Sequence, residues 1–150
     1  MIKANFTITT DKAKLDLAMI HDFLSNESYW SKGIPFEKVK NAIDHSLNFG
    51  LFHLDHQVGF ARVISDFSTI AYLGDVFILS DYRGQGLSKW LIEQVMNYPD
   101  LQGLRRWILL TRDAHGLYKQ FGWKSIAHPE KFMEIHDPNI YESLSENKIS

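Results

Sequence analysis

SDYRGQGLSKWLIEQV, residues 80–95, carries two glycines one residue apart, directly after an arginine and directly before a helical pattern. The apolar run IAYLGDVFIL, residues 70–79, precedes it and reads as a long strand. Beyond Gly86, Leu87, Leu91 and Val95 recur on one face of a helix that runs to about Met96, and Trp90 and Ile92 broaden that face. The first turn of such a helix has backbone N–H groups with no partner in the helix, and these, together with the helix dipole, favour an anion. Glycine lets an anion approach the backbone closely, and Arg83 adds a fixed cation with two parallel donors. Familiar phosphate loops do not fit. A P-loop closes on Gly-Lys-Ser/Thr, whereas the order here is Gly86-Leu87-Ser88-Lys89. A dinucleotide fingerprint needs a third glycine where Lys89 stands, in the first unit of a parallel sheet. The glycine pair alone is equally compatible with a plain tight turn.

Working outward, residues 4–9 (NFTITT) read as a strand, and Thr10 or Asp11 caps a helix carrying Leu15, Leu17, Ala18, Ile20 and Leu24. Residues 25–35 form a polar loop with Tyr29 and Trp30, and Pro35 opens a second helix with Phe36, Val39, Ile43 and Leu47 on one face. The period then changes to two. NFGLFHL (48–54) and VGFARVI (58–64) make a hairpin ahead of the 70–79 strand. After the 87–96 helix come a buried-type strand at 105–110, a short helix over 113–123 ended by Gly122, and a last strand at KFMEI, 131–135. The polar tail from Pro138 is expected to be loose at its end. The order is β, α, α, a three-stranded meander, then αβαβ. No repeat or composition break divides it, so residues 1–150 read as one domain.

The composition sets limits. Hydrophobic residues make up 45% of the chain, enough for a core, and the formal net charge of −2 gives no basis for holding nucleic acid by bulk charge. Absence of cysteine excludes disulfides, a thiol nucleophile and cysteine-ligated zinc, and is consistent with a reducing compartment. No stretch approaches the ~18 apolar residues of a membrane span, and the N-terminus lacks the apolar run of a signal peptide, so a cytoplasmic protein is expected. His53 and His56 straddle the hairpin turn and read as scattered surface histidines, so no metal is expected.

With Arg83 included, the loop reads R-G-Q-G-L-S, which resembles the acyl-CoA pyrophosphate loop of the GCN5-related N-acetyltransferases, the GNAT superfamily. Arg83 and Gly86 match that pattern, while Ser88 stands where the family has Gly or Ala. A second motif agrees. AHGLYKQFGW, residues 114–123, is similar to the family's Ala-x-x-Leu-Tyr-x-x-x-Gly-Phe segment, with Ala114, Leu117, Tyr118, Gly122 and Trp123 in order. One helix, one strand and one helix connect the two motifs, as in the family. An Asn common three residues before that Ala is Thr111 here. The strong resemblance covers about residues 70–123.

The resemblance implies a mixed α/β fold: a mostly antiparallel sheet, flanked by helices, that splays into a V between the strands at 70–79 and 105–110. Acetyl-CoA would lie in the V as acyl donor. Its pyrophosphate would sit on the N–H groups of Gly84, Gln85, Gly86, Leu87 and Ser88 beside Arg83, with Thr111 a further contact. Its pantetheine would pair like an added strand with Val76, Phe77 and Ile78. Tyr118 would aim its hydroxyl at the sulfur as general acid, and the Val76 N–H would face the oxyanion. Asp75, a carboxylate inside an apolar strand, is the candidate base, against the reading that it is a solvated or paired strand Asp. Tyr72 and His115 are possible members of a water relay. Tyr29 and Trp30 are candidates to line the acceptor site, core packing being the alternative. The implied activity is acetyl transfer by direct attack to a primary amine of a small molecule or peptide, from a monomer or homodimer. The alternatives are an acyl-CoA-binding sensor without turnover and a phosphate binder unrelated to CoA.

Overall fold

The computed structural model describes residues 4–149, and their side chains through residue 144. Five strands form one sheet in the order β1-β2-β3-β4-β5: β1 (Phe6–Thr9), β2 (Leu47–His53), β3 (His56–Ser65), β4 (Ile70–Ile78) and β5 (Arg106–Leu109). The first four pair antiparallel, and β5 alone runs parallel to its neighbour β4. The helices are α1 (Leu17–Asp22), α2 (Phe36–Asp44), α3 (Leu87–Met96), α4 (His115–Lys119) and α5 (Ile140–Ile149). No helix among the described residues is long and apolar enough to cross a membrane.

Side-chain alternation along the meander sends apolar residues to both faces of the sheet, and each face has its own core. Phe49, Leu51, Ala61, Val63 and Leu73 pack under Leu87, Leu91 and Val95 of α3 and Tyr118 of α4. On the other face Phe60 and Phe77 meet Ile20, Val39 and Ile43 of α1 and α2 with Phe23 and Leu24 of the turn that follows α1. Phe23 stacks on Phe77 with ring centroids 3.9 Å apart and planes 9° from parallel. Burying a side chain of this size contributes roughly 1.5–3 kcal/mol, so the two cores fix α3 and the α1–α2 pair on opposite faces of β4.

The expected strands over 4–9, 48–54, 58–64, 70–79 and 105–110 and the helix after Gly86 are present within a residue or two at most ends. Three local expectations are corrected. Asp11 caps only a short 3-10 turn, Lys12–Lys14, and α1 begins five residues later where the Asp16 side chain accepts from the Met19 N–H at 3.0 Å. Leu47 opens β2 and does not extend α2, which ends at Asp44. KFMEI is not a strand: a 3-10 turn, Pro129–Lys131, leads through an extended Phe132 into irregular chain with no ladder partner among the described residues. The tail forms helix α5, and Tyr141 packs against the α1–α2 core. A two-residue alternation specifies a strand only where an edge takes it up, and residues 131–135 pair with none among the described residues.

Candidate active site

The β4–β5 ladder runs from Ile70↔Arg106 to Leu73↔Leu109 and stops, while β4 continues to Ile78 paired only with β3. The sheet is open from Gly74 onward. A bulge sits at the opening: β3 advances from Phe60 to Arg62 while β4 passes from Phe77 to Gly74, so Asp75 and Val76 oppose Ala61. Asp75 has φ 53°, the left-handed region that Asp tolerates better than most residues. The bulge turns the Asp75 side chain toward the α1–α2 face and interrupts the ladder next to the Val76 backbone.

Two partners hold the Asp75 carboxylate. Arg62 Nε donates to Oδ2 at 2.8 Å, and Trp30 Nε1 donates to Oδ1 at 2.8 Å. Arg62 also donates to Ser46 Oγ at 3.1 Å. This ion pair is mostly buried, with side-chain exposures of 17% and 11%, so removing one partner leaves a poorly solvated charge. The neighbouring Tyr72 hydroxyl has its pKa raised, first by burial and then by the Asp75 charge, with Arg62 opposing. A cavity of about 230 Å³ opens here, with Lys38, Asn41, Arg62, Asp75 and Tyr141 among its walls. Arg62 and Tyr141 were not singled out in the sequence. Arg62 carried a signal, a lone charge inside VGFARVI facing the lone charge of the next strand; Tyr141 carried none.

Tyr29 bridges the loop after α1 to the end of β5. Its hydroxyl accepts from the Arg112 N–H at 2.9 Å, and the Arg112 guanidinium lies 3.9 Å from its ring centroid. Tyr29 also packs edge-on against Trp30 at 5.0 Å. Tyr118 stands behind this group, 7% exposed, with its ring against Trp123 at 5.9 Å. Burial, and to a lesser degree the nearby Tyr29, push its phenol up to about 12. Thr111 Oγ1 accepts from the Ala114 N–H at 3.1 Å, fixing the turn into α4. The structure thus gathers Asp75, Trp30 and Tyr29 at the opening between β4 and β5, whereas Tyr118, close to Tyr29, lines the cavity outside β5. His115 lies on the far wall, lining the cavity outside β5.

The 80–86 loop lies past the end of β4. Gly84 and Gly86 have φ 81° and 82°, and a Cβ placed on Gly84 would meet nothing within 4 Å. Gly84 is therefore required by conformation and not by crowding. No side chain caps α3, so its first-turn N–H groups remain available, while buried Leu87 anchors the helix. Arg83 donates Nε to the Ile78 carbonyl at 2.9 Å, which steers the guanidinium along the end of β4. Ser88 follows in the first turn, and Gln85 Nε2 donates to the Tyr82 carbonyl at 3.2 Å.

A sheet opened beside a β-bulge, an uncapped glycine-rich helix start and a buried tyrosine in α4 fit the acetyltransferase class of mixed α/β domains. Comparison with known proteins places the chain within that class. The Acetyltransferase (GNAT) family profile matches residues 17–123, and the chain belongs to that family. A Gibberella zeae protein named as a candidate acetyltransferase is 32% identical over 145 residues, 81% of each chain. The crystal structure of a candidate GNAT acetyltransferase from Xanthomonas campestris pv. campestris superposes with TM-score 0.89 at 51% identity, covering 91% of this chain and 96% of that one. A candidate acetyltransferase from Clostridium acetobutylicum, crystallised with acetyl-CoA, shares the fold at TM-score 0.65 and 12% identity, over 87% of this chain and 96% of that one.

Proposed function

We propose that this acetyltransferase takes its acyl group from acetyl-CoA and passes it to a primary amine of a small molecule or peptide by direct attack in a ternary complex. The open run of β4 from Gly74 to Ile78, unpaired on the β5 side, carries this reading, because it offers backbone donors and acceptors to an extended pantetheine. Open space at Gly84 and the uncapped start of α3 suit a pyrophosphate beside Arg83. When bound, the donor supplies an activated thioester.

The chain's own groups have three tasks. The Val76 N–H at the bulge is the donor for the oxyanion as the amine nitrogen bonds to the carbonyl carbon. As the C–S bond breaks, Tyr118 donates to the departing sulfur. A phenol at about 12 is a weaker acid than an ordinary thiol at about 8.5, so full transfer in the ground state is uphill by roughly 5 kcal/mol. Burial raises the thiol as well and narrows that gap. Tyr118 is accordingly a strong hydrogen-bond donor to sulfur that completes proton transfer late. The amine must lose a proton before it attacks. Asp75 takes that role if the incoming ammonium replaces the Trp30 N–H at Oδ1. Trp30 and Tyr29 then form the acceptor-side wall, with Tyr72 the remaining candidate for a relay, since His115 lines the other cavity. Thr111, engaged in capping the turn before α4, contributes to the donor site through that turn.

Tyr118→Phe is expected to lower turnover by roughly 10²-fold or more while changing acetyl-CoA affinity less than threefold, read by thiol release and calorimetry. Equal turnover in the variant would remove the acid role. Tight acetyl-CoA binding with no thiol release across a panel of amines would instead favour an acyl-CoA sensor.

A further inference from the structure

The cavity beside Asp75 holds about 230 Å³, less than the roughly 300–1,000 Å³ of pockets that enclose drug-sized ligands. Val39 and Ile43 of α2 and Phe60 of β3 form its apolar wall. The tail supplies another wall. Tyr141 of α5 packs against the α1–α2 core, its Cβ 3.9 Å from where a Cβ on Gly33 would stand. Burial raises the pKa of the Tyr141 phenol, the Asp75 charge adds to this and Arg62 opposes it, so the ring stands near that ion pair. A ring in this place limits the length of what can lie on Asp75.

Four titratable side chains line the cavity: Lys38, Arg62, Asp75 and Tyr141. Arg62 and Asp75 neutralise one another at 2.8 Å, and a raised phenol is uncharged at neutral pH. Lys38 is the surplus charge. Its place on α2 leaves it without an acid. Lys40 has Asp44 one turn on, at 3.1 Å, whereas Asn41 and Ala42 stand three and four residues after Lys38. Among the described residues Lys38 is in no ion pair. Asp75 is mostly buried and Lys38 is exposed, so they mark the floor and the mouth of one pocket. Asn41 lines the same cavity and adds an amide donor.

We infer that the acceptor is a small amine with an anionic group at its other end, an amino acid or a compound like one, its amine at Asp75 and its anion on Lys38. This rests on acetyl transfer beside Asp75 as proposed above, and of the two acceptor classes named there it selects the small molecule. The charges of the pocket favour it. A diamine would bring a second cation against Lys38, and a plain alkylamine would leave Lys38 without a counterion. An amino carboxylate matches both ends, and the apolar wall takes the methylenes between them.

The test follows thiol release from acetyl-CoA with ω-amino carboxylates from glycine to aminohexanoate, the alkylamine and the diamine of each chain length, and a short peptide with a free N-terminus. The best amino carboxylate is expected to exceed its matched amines and the peptide roughly tenfold or more in kcat/KM. Lys38→Met is expected to abolish that preference through KM, and Lys38→Arg to keep most of it. Preference for a diamine, an alkylamine or the peptide overturns the inference while leaving acetyl transfer standing. So does a preference that survives Lys38→Met. Calorimetry of the same amines with CoA present reads the pocket without turnover. Amino carboxylate binding that Lys38→Met weakens tenfold or more, with no thiol release from any amine, upholds the pocket and overturns the transfer reading. No turnover and no Lys38-dependent binding overturns the inference itself.

Discussion

Tyr118, the proposed acid, is also a buried hydroxyl with a bearing on stability. Its pKa in the folded chain, about 12, lies above the ordinary value near 10 that the unfolded chain restores. The stabilising contribution is therefore fully present below about pH 10 and is lost as pH rises through 12, because the unfolded state ionises first. Comparison of wild type with Tyr118→Phe by urea unfolding should give a constant difference below pH 10. Between pH 10 and 12 that difference should shift toward the phenylalanine variant by about 2–3 kcal/mol. Asp75 poses a separate question, since its two oxygens are already bonded to Trp30 and Arg62. Arg62→Met should cost roughly 2–4 kcal/mol in the same measurement by stranding a carboxylate in a mostly buried place. Adding Asp75→Asn, which keeps a residue tolerant of positive φ, should recover part of that loss. This clamp was only half legible in the sequence. Trp30 lies 45 residues from Asp75, and one sequence has no local pattern that pairs residues across such a distance.

At the scale of elements, legibility followed how local the determining physics is. The turn from β4 into α3 is decided within a few residues by two glycines, an arginine and an apolar stripe, and it was readable. The α4 motif was readable for the same reason, with Gly122 at φ 89° past the end of that helix. KFMEI misled because alternation implies a strand while saying nothing about an available edge. Helix α5 in the tail was not read, because Tyr141 supplies a long-range anchor that the composition does not advertise. The glycine loop carries its own prediction. Gly86 precedes α3 in a left-handed conformation, φ 82° and ψ 10°. Gly86→Ala should cost about 1 kcal/mol in folding from that strain alone. It should weaken acetyl-CoA binding tenfold or more by tilting the N–H groups of the first turn, a split that unfolding and calorimetry together resolve.

At the scale of the whole molecule, the opening between β4 and β5 is a cost that the fold carries without a ligand. α3 and α4 pack on one face and the α1–α2 pair on the other, yet no strand among the described residues pairs with β4 from Gly74 to Ile78 on its open side, where Arg83 alone reaches the Ile78 carbonyl. A donor that lies there as an added strand ties β4, the glycine loop and α4 into one unit, so binding and global stability should be coupled. If acetyl-CoA binds only the folded chain, a concentration 100-fold above Kd adds about 2.7 kcal/mol of stability. For a domain of this size that raises Tm by roughly 5–10 °C. CoA should act similarly because it shares the pyrophosphate and pantetheine. ATP, which has phosphates but no pantetheine to pair with β4, should give a shift of a degree or less. Equal shifts with ATP and CoA would mean that the loop alone binds and that the open strand does not take the pantetheine.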